Sequence, residues 1–155
     1  MLVTPDRVAL KAAVRDRMLS LEEAELASAI EHYERFLADA RLAEGESHDV
    51  DEIANARENA DLAAAFDHPV HTHQAKISAI ESLDFSPADT ARPGAVVSFN
   101  IRHFVLAVST MRFDVDGTTY MGISTQSPIY KVLEGLSAGD VFEHNGTEYV
   151  LDDVI

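Results

Sequence analysis

Five carboxylates crowd into nine residues at Glu44, Glu46, Asp49, Asp51 and Glu52, with no lysine or arginine among them. Asp49 and Glu52 stand three apart, and at a helix start residues three apart share a face, so both carboxylates can converge on one ion. The same spacing has a plainer use, because an acidic residue followed three positions on by Glu forms a capping box. The two roles coexist, since a cap uses few of the carboxylates present. His68, His71 and His73 form the histidine cluster of the chain. Their spacings do not share a helical face as an i,i+4 pair would, so the plain reading is exposed histidines near a helix break. Such a cluster also changes charge near neutral pH. The chain has no cysteine, which excludes disulfides, thiol nucleophiles and thiolate metal sites.

The elements that must present the carboxylates are two helices. Leu26, Ile30, Tyr33, Leu37 and Ala40 recur at a 4-3-4-3 spacing, one stripe along a helix from about Leu21 to Glu44. Thr4-Pro5 predicts a short helix before it, to about Arg17, and Ser20 with Glu23 reads as the capping box of the longer one. Gly45-Glu46-Ser47-His48 breaks the pattern. From Val50 it resumes with Ile53, Ala56, Ala60 and Ala63, then Val70, Ile77 and Ile80 beyond a kink or short break expected at Pro69. Two amphipathic helices joined by so short a turn pack antiparallel, which sets the carboxylates at the tip of a hairpin over residues 1–83.

Composition narrows the function. Twelve basic residues against 27 acidic ones give a formal charge of -15 over 155 residues. Phosphate backbones are repelled by such a surface, so independent DNA binding is not expected. No apolar run approaches the ~20 residues of a membrane span, and the N-terminus lacks a signal-peptide core, so a soluble, cytoplasmic protein without membrane partners is expected.

Residues 84–93, with two prolines and no periodicity, read as a linker. Beyond them the pattern turns to strands: Ala95–Asn100, His103–Phe113, and Thr118–Gly122 after a turn at Asp116-Gly117. Ser127-Pro128 has the residues of a helix start, Ile129, Val132 and Leu133 face inward, and Gly135 ends the helix. Val141–His144 and Thr147–Ile155 flank the hairpin signal Asn145-Gly146. Residues 94–155 thus read as a small α+β domain, an antiparallel, curved sheet with one helix against it.

The run Gly122-Ile123-Ser124-Thr125-Gln126-Ser127-Pro128-Ile129-Tyr130-Lys131-Val132-Leu133-Glu134-Gly135, then Gly139-Asp140-Val141 and Glu148-Tyr149-Val150-Leu151, resembles the C-terminal domain of the Gre family of bacterial transcription elongation factors. The likeness extends to the architecture, an N-terminal coiled-coil hairpin followed by a small domain of the type found in FK506-binding prolyl isomerases. It implies a protein that docks on RNA polymerase at the rim of the secondary channel, with Ser127, Pro128 and Ile129 near the contact. The hairpin then reaches toward the active site. In cleavage-stimulating members an Asp and a Glu at the tip help hold the polymerase's second Mg²⁺ and promote hydrolysis of a backtracked RNA 3′ end. Asp49 and Glu52 occupy those places, while Glu44, Glu46 and Asp51 add negative potential. No cofactor is implied for the protein alone; Mg²⁺ would be shared with the polymerase.

Departures from the family pattern leave the outcome open. His48 stands for Gly, Ile53 for Asn and Ala56 for Tyr. Other relatives share the body plan but block or modulate the polymerase, some with a crowded acidic tip such as this chain has. A second register, with Arg57-Glu58-Asn59-Ala60-Asp61-Leu62 as the tip approach, would bury the Gly45 break in mid-helix. A prolyl isomerase or chaperone is the reading from another class. It requires an aromatic-lined pocket, whereas Phe99, Phe104, Phe113, Tyr120, Tyr130, Phe142 and Tyr149 are spaced as core residues.

Overall fold

The computed structural model describes residues 4–44 and 68–155. Helix α1 runs Thr4–Glu44 and helix α2 is described over 68–82. Then follow β1 (Val96–Phe99), β2 (Arg102–Ala107), β3 (Arg112–Val115), β4 (Thr118–Ser124), α3 (Pro128–Leu133), β5 (Val141–His144), β6 (Thr147–Val150) and β7 (Asp153–Val154). The molecule is thus a long N-terminal helix followed by a small, mostly antiparallel sheet domain carrying a helix. It divides into two compact units, Met1–Leu19 with Ala79–Ile155, and Ser20–Ser78.

The sequence predicts a break in α1 near Arg17 and a cap at Ser20; the helix instead runs through both. No Pro or Gly follows Pro5 before Gly45, so nothing removes a backbone donor there. Pro69 is helical within the described part of α2, and the expected break at its N-terminal side reaches residues outside those described. In the Ser20–Ser78 unit, Leu26, Ile30, Tyr33 and Leu37 are half-buried, as their spacing requires, and Ala29 is buried beside them.

The other unit holds a five-stranded sheet in the order β3-β4-β2-β1-β7 and a separate β5-β6 hairpin. β4 pairs antiparallel with β3 but parallel with β2, so the sheet is mixed. The stretch His103–Phe113, which reads as one strand, is interrupted between Ala107 and Arg112. There Thr110 Oγ1 accepts from the Gly122 amide at 2.8 Å. A Cβ on Gly122 would lie 2.1 Å from the Val108 carbonyl, so glycine is what lets the chain cross β4. Likewise Thr147–Ile155 divides, β6 pairing with β5 and β7 with β1.

One sheet face carries the core: Val97, Phe99, Phe104, Leu106, Ile123, Tyr130, Leu133, Phe142 and Leu151 are all buried together. Phe99 is its centre. Its ring stacks on Phe104 at 4.8 Å, meets Phe142 edge-on at 5.0 Å and tilts against Tyr149 at 5.4 Å. The start of α1 belongs to the same unit. Lys11, Val14 and Met18 are fully buried; Lys11 Nζ donates to the Gly94 carbonyl and, at 2.8 Å, to that of Ile155. Arg7 donates to the Val154 carbonyl at 2.6 Å. Residues 84–93 form no regular element, yet Phe85, Ala88 and Ala91 are buried. Ala91 exchanges backbone hydrogen bonds with Gly135 and Leu136, both at 2.8 Å.

Candidate functional site

Of the carboxylates expected to do chemistry, Glu46, Asp49, Asp51 and Glu52 lie outside the described residues. Glu44 is the last residue of α1, and its side chain is also outside them. The structure therefore bears on the second half of the expected site, the segment after β4.

Ser124 ends β4, and its carbonyl accepts from both the amide of Ser127 at 3.1 Å and its hydroxyl at 2.6 Å. Ser127 has extended backbone and its Oγ accepts from the Tyr130 amide at 3.4 Å, the N-cap geometry. Pro128 takes the first helical position, where its missing N–H costs nothing. Tyr130 and Leu133 anchor α3 in the core. Ile129 is half-buried against that core, whereas Pro128 and Val132 are exposed; the inward placing of Val132 expected from the sequence is not found. Ser127, Pro128 and Ile129 thus sit together at the start of α3.

The remaining spacings of the motif are explained by backbone chemistry. Gly135 (φ 83°) follows the C-cap of α3, and Gly139 (φ 93°) opens the next turn. Asp140 accepts from the Ser137 amide at 2.7 Å. The Gly139 amide donates to the Leu151 carbonyl at 2.7 Å and the Leu151 amide donates back to Asp140 at 2.8 Å. The two pieces of the motif, Gly-Asp and the closing Tyr-x-Leu, therefore meet as hydrogen-bonded partners. Most of the motif specifies a fold; on α3 its exposed residues are Pro128, Lys131 and Val132.

Two buried polar groups escaped the sequence reading. Lys11 is fully buried, and its amine is pulled down from 10.5 to about 7 by burial above all, then by Arg92 and Arg7, with Asp84 opposing. In the other unit, His73 of α2 meets Glu22 of α1 at 2.6 Å, with side chains only 19% and 5% exposed. That pair separates His73 from exposed His68 and His71. Among the described residues no group of three His, Asp or Glu gathers as a metal site. The signal for both groups was there: Arg7, Lys11, Val14, Met18 and Glu22 follow a helical stripe, but three of the five are charged.

Phe99, Phe104, Phe113, Tyr120, Tyr130 and Phe142 are all buried, as their spacing as core residues leads one to expect. No helix among the described residues is long and apolar enough to cross a membrane.

No protein-family model matches the chain. No curated protein matches it significantly. Among solved structures it is similar to the crystal structure of GreA factor homolog 1 of Thermus thermophilus, at 17% identity and a TM-score of 0.33, over 88% of this chain and 94% of that one. At that score and identity the likeness says nothing about activity.

Proposed function

We propose that this protein binds bacterial RNA polymerase through its secondary channel and regulates transcription. The observation that supports this is the run from Gly122 to Leu151, which has the spacing of the Gre C-terminal domain throughout. In this reading the start of α3, with Ser127, Pro128 and Ile129, contributes to docking. Asp49 and Glu52 act inside the polymerase, beside its catalytic Mg²⁺, where two added oxygen ligands would hold a weakly bound second ion. The protein would then be catalytic only in company. Cleavage of a backtracked RNA 3′ end is one outcome. Inhibition without cleavage is the other, and the departures His48, Ile53 and Ala56, together with five crowded carboxylates, keep it open.

The test combines a binding and an activity measurement on the full chain. The double variant Asp49→Asn, Glu52→Gln keeps side-chain shape and removes charge, and asparagine still caps a helix. It should still bind core polymerase, since in this reading docking rests on the start of α3 and not on the tip. It should lose the effect at the active site, read as cleavage of a backtracked RNA and as multi-round RNA synthesis over a Mg²⁺ series. Cleavage stimulated by wild type alone identifies a cleavage factor, and charge-dependent loss of synthesis identifies an inhibitor. Absence of polymerase binding by wild type would sink the proposal.

A further inference from the structure

Residues 94–155 contain only three basic side chains, Arg102, Arg112 and Lys131, against eight acidic ones. Arg102 and Arg112 line one groove of about 270 Å³ with Ile101, Phe104, Thr119 and Met121. Register explains why they meet. Arg112 stands opposite Met121 and Met121 beside Phe104, while Arg102 is two residues before Phe104 and shares its face. The guanidinium groups are thus set at diagonal corners of a Phe104–Met121 floor. Both are exposed, and neither has an ion pair or hydrogen bond among the described residues. The acid nearest in register, Asp114, is engaged by the Thr119 hydroxyl at 2.6 Å. In a chain of net charge -15, two unpaired cations have been kept together at an apolar floor.

The rim supplies an independent observation. Asn100 and Ile101 form the β1-β2 turn with φ of 52° and 61°. Two-residue turns of that kind ordinarily place glycine second, and a β-branched residue at positive φ is strained. Ile101 is also 98% exposed, so nothing among the described residues packs against it. The strained turn thus holds a fully exposed aliphatic side chain at the rim of the groove, within reach of a ligand seated there.

We infer that this groove docks an extended acidic segment of a partner protein, with carboxylates at i and i+4 and an aliphatic residue at i+2. The spacing follows from the sheet. Two strand separations and a two-residue offset put the arginine Cα atoms about 12 Å apart, and four residues of extended chain span about 13 Å. Alternate residues of an extended chain share a face, so the aliphatic side chain falls on Phe104 and Met121, and Ile101 closes over it. Each arginine offers a forked, charge-assisted contact to one carboxylate. The groove lies toward the start of β4, whereas Ser127 follows that strand's other end, and the inference does not depend on the polymerase reading.

The probe is the peptide acetyl-Glu-Thr-Leu-Thr-Glu-amide, titrated into ¹⁵N-labelled full-length protein. Amide shifts should move at Ile101, Arg102, Arg112, Thr119 and Met121 and not at Glu143 or Glu148. Arg102→Gln and Arg112→Gln should each weaken binding about tenfold, a change of ~1.4 kcal/mol, and neither touches the core. Replacing Leu by Ser in the peptide should weaken it further, and binding should fall as salt rises. Equal binding by a Lys-Thr-Leu-Thr-Lys peptide, or indifference to both arginine substitutions, would overturn the assignment. So would displacement of the acidic peptide by millimolar inorganic phosphate with the same shift pattern, which would make the groove an anion site instead.

Discussion

A lysine that titrates near neutrality inside a folded unit gives a prediction whose size and sign are both fixed. Lys11 is fully buried, and its amine is held at about 7 instead of 10.5, chiefly by burial. In the unfolded chain the proton stays on up to about 10.5, whereas the folded protein releases it near 7. Between those values the unfolded state binds more protons, so stability must rise with pH. Each pH unit contributes ~1.4 kcal/mol. The wild type should therefore gain about 3 kcal/mol between roughly pH 7 and 9.5 relative to a Lys11→Met variant, which keeps length and cannot titrate. Below about 7 both states carry the proton and the difference between the proteins should be flat. Asp84 opposes the shift but is outweighed by burial and the two arginines, and a neutral amine still has two N–H groups for the carbonyls of Gly94 and Ile155. The assay is urea unfolding of both full-length proteins over a pH series at constant ionic strength, and subtraction removes every other titrating group. Parallel curves across the whole range would show that the folded protein keeps the proton, with the two carbonyls and Asp84 outweighing burial.

Two further outcomes test the packing of the same unit. Gly94 has φ 92°, and a Cβ there would lie 2.0 Å from the Asp84 carbonyl, so Gly94→Ala should cost ~2 kcal/mol or more. Gly117→Ala, with φ 83° but nothing within 4 Å, should cost only the ~1 kcal/mol of left-handed strain; equal losses in thermal unfolding would contradict the distinction. Phe99→Ala removes the ring that touches Phe104, Phe142 and Tyr149 and should cost ~3–5 kcal/mol, read by urea unfolding, and a loss below about 1 kcal/mol would mean that the cluster is not the core's centre.

How far the sequence could be read depended on whether a residue's side chain or its backbone decided the structure. Asp116-Gly117 and Asn145-Gly146 announce their turns, and both pairs have positive φ in the structure. Asn100-Ile101 adopts the same kind of turn without the glycine, and no local rule would nominate isoleucine for it. The strands His103–Phe113 and Thr147–Ile155 read as continuous because β-propensity is continuous there, while the breaks come from pairing. Gly122 admits the Val108 carbonyl, and Leu151 turns back to Asp140. The parallel pairing of β2 with β4 has no sequence signal at all, since parallel and antiparallel neighbours bury the same faces.

The start of α1 was misread for a different physical reason. An inward stripe is recognised by apolar residues, and here Arg7, Lys11 and Glu22 occupy inward places of the stripe that Val14 and Met18 define. A buried amine is normally too costly to expect. It is tolerated in this fold because Gly94 and Ile155 offer carbonyls to the amine, and because a pKa near 7 lets the charge leave. The same reasoning separates the two arginines of the β2-β3 groove from Arg7 and Lys11. The inward cations donate to backbone oxygens of their own chain. Arg102 and Arg112 have found none among the described residues, though 27 acidic residues are available in the sequence. Two arginines without a carboxylate partner among the described residues, set together beside one groove, are what the proposed acidic segment would answer, and it is there that a partner should first be sought.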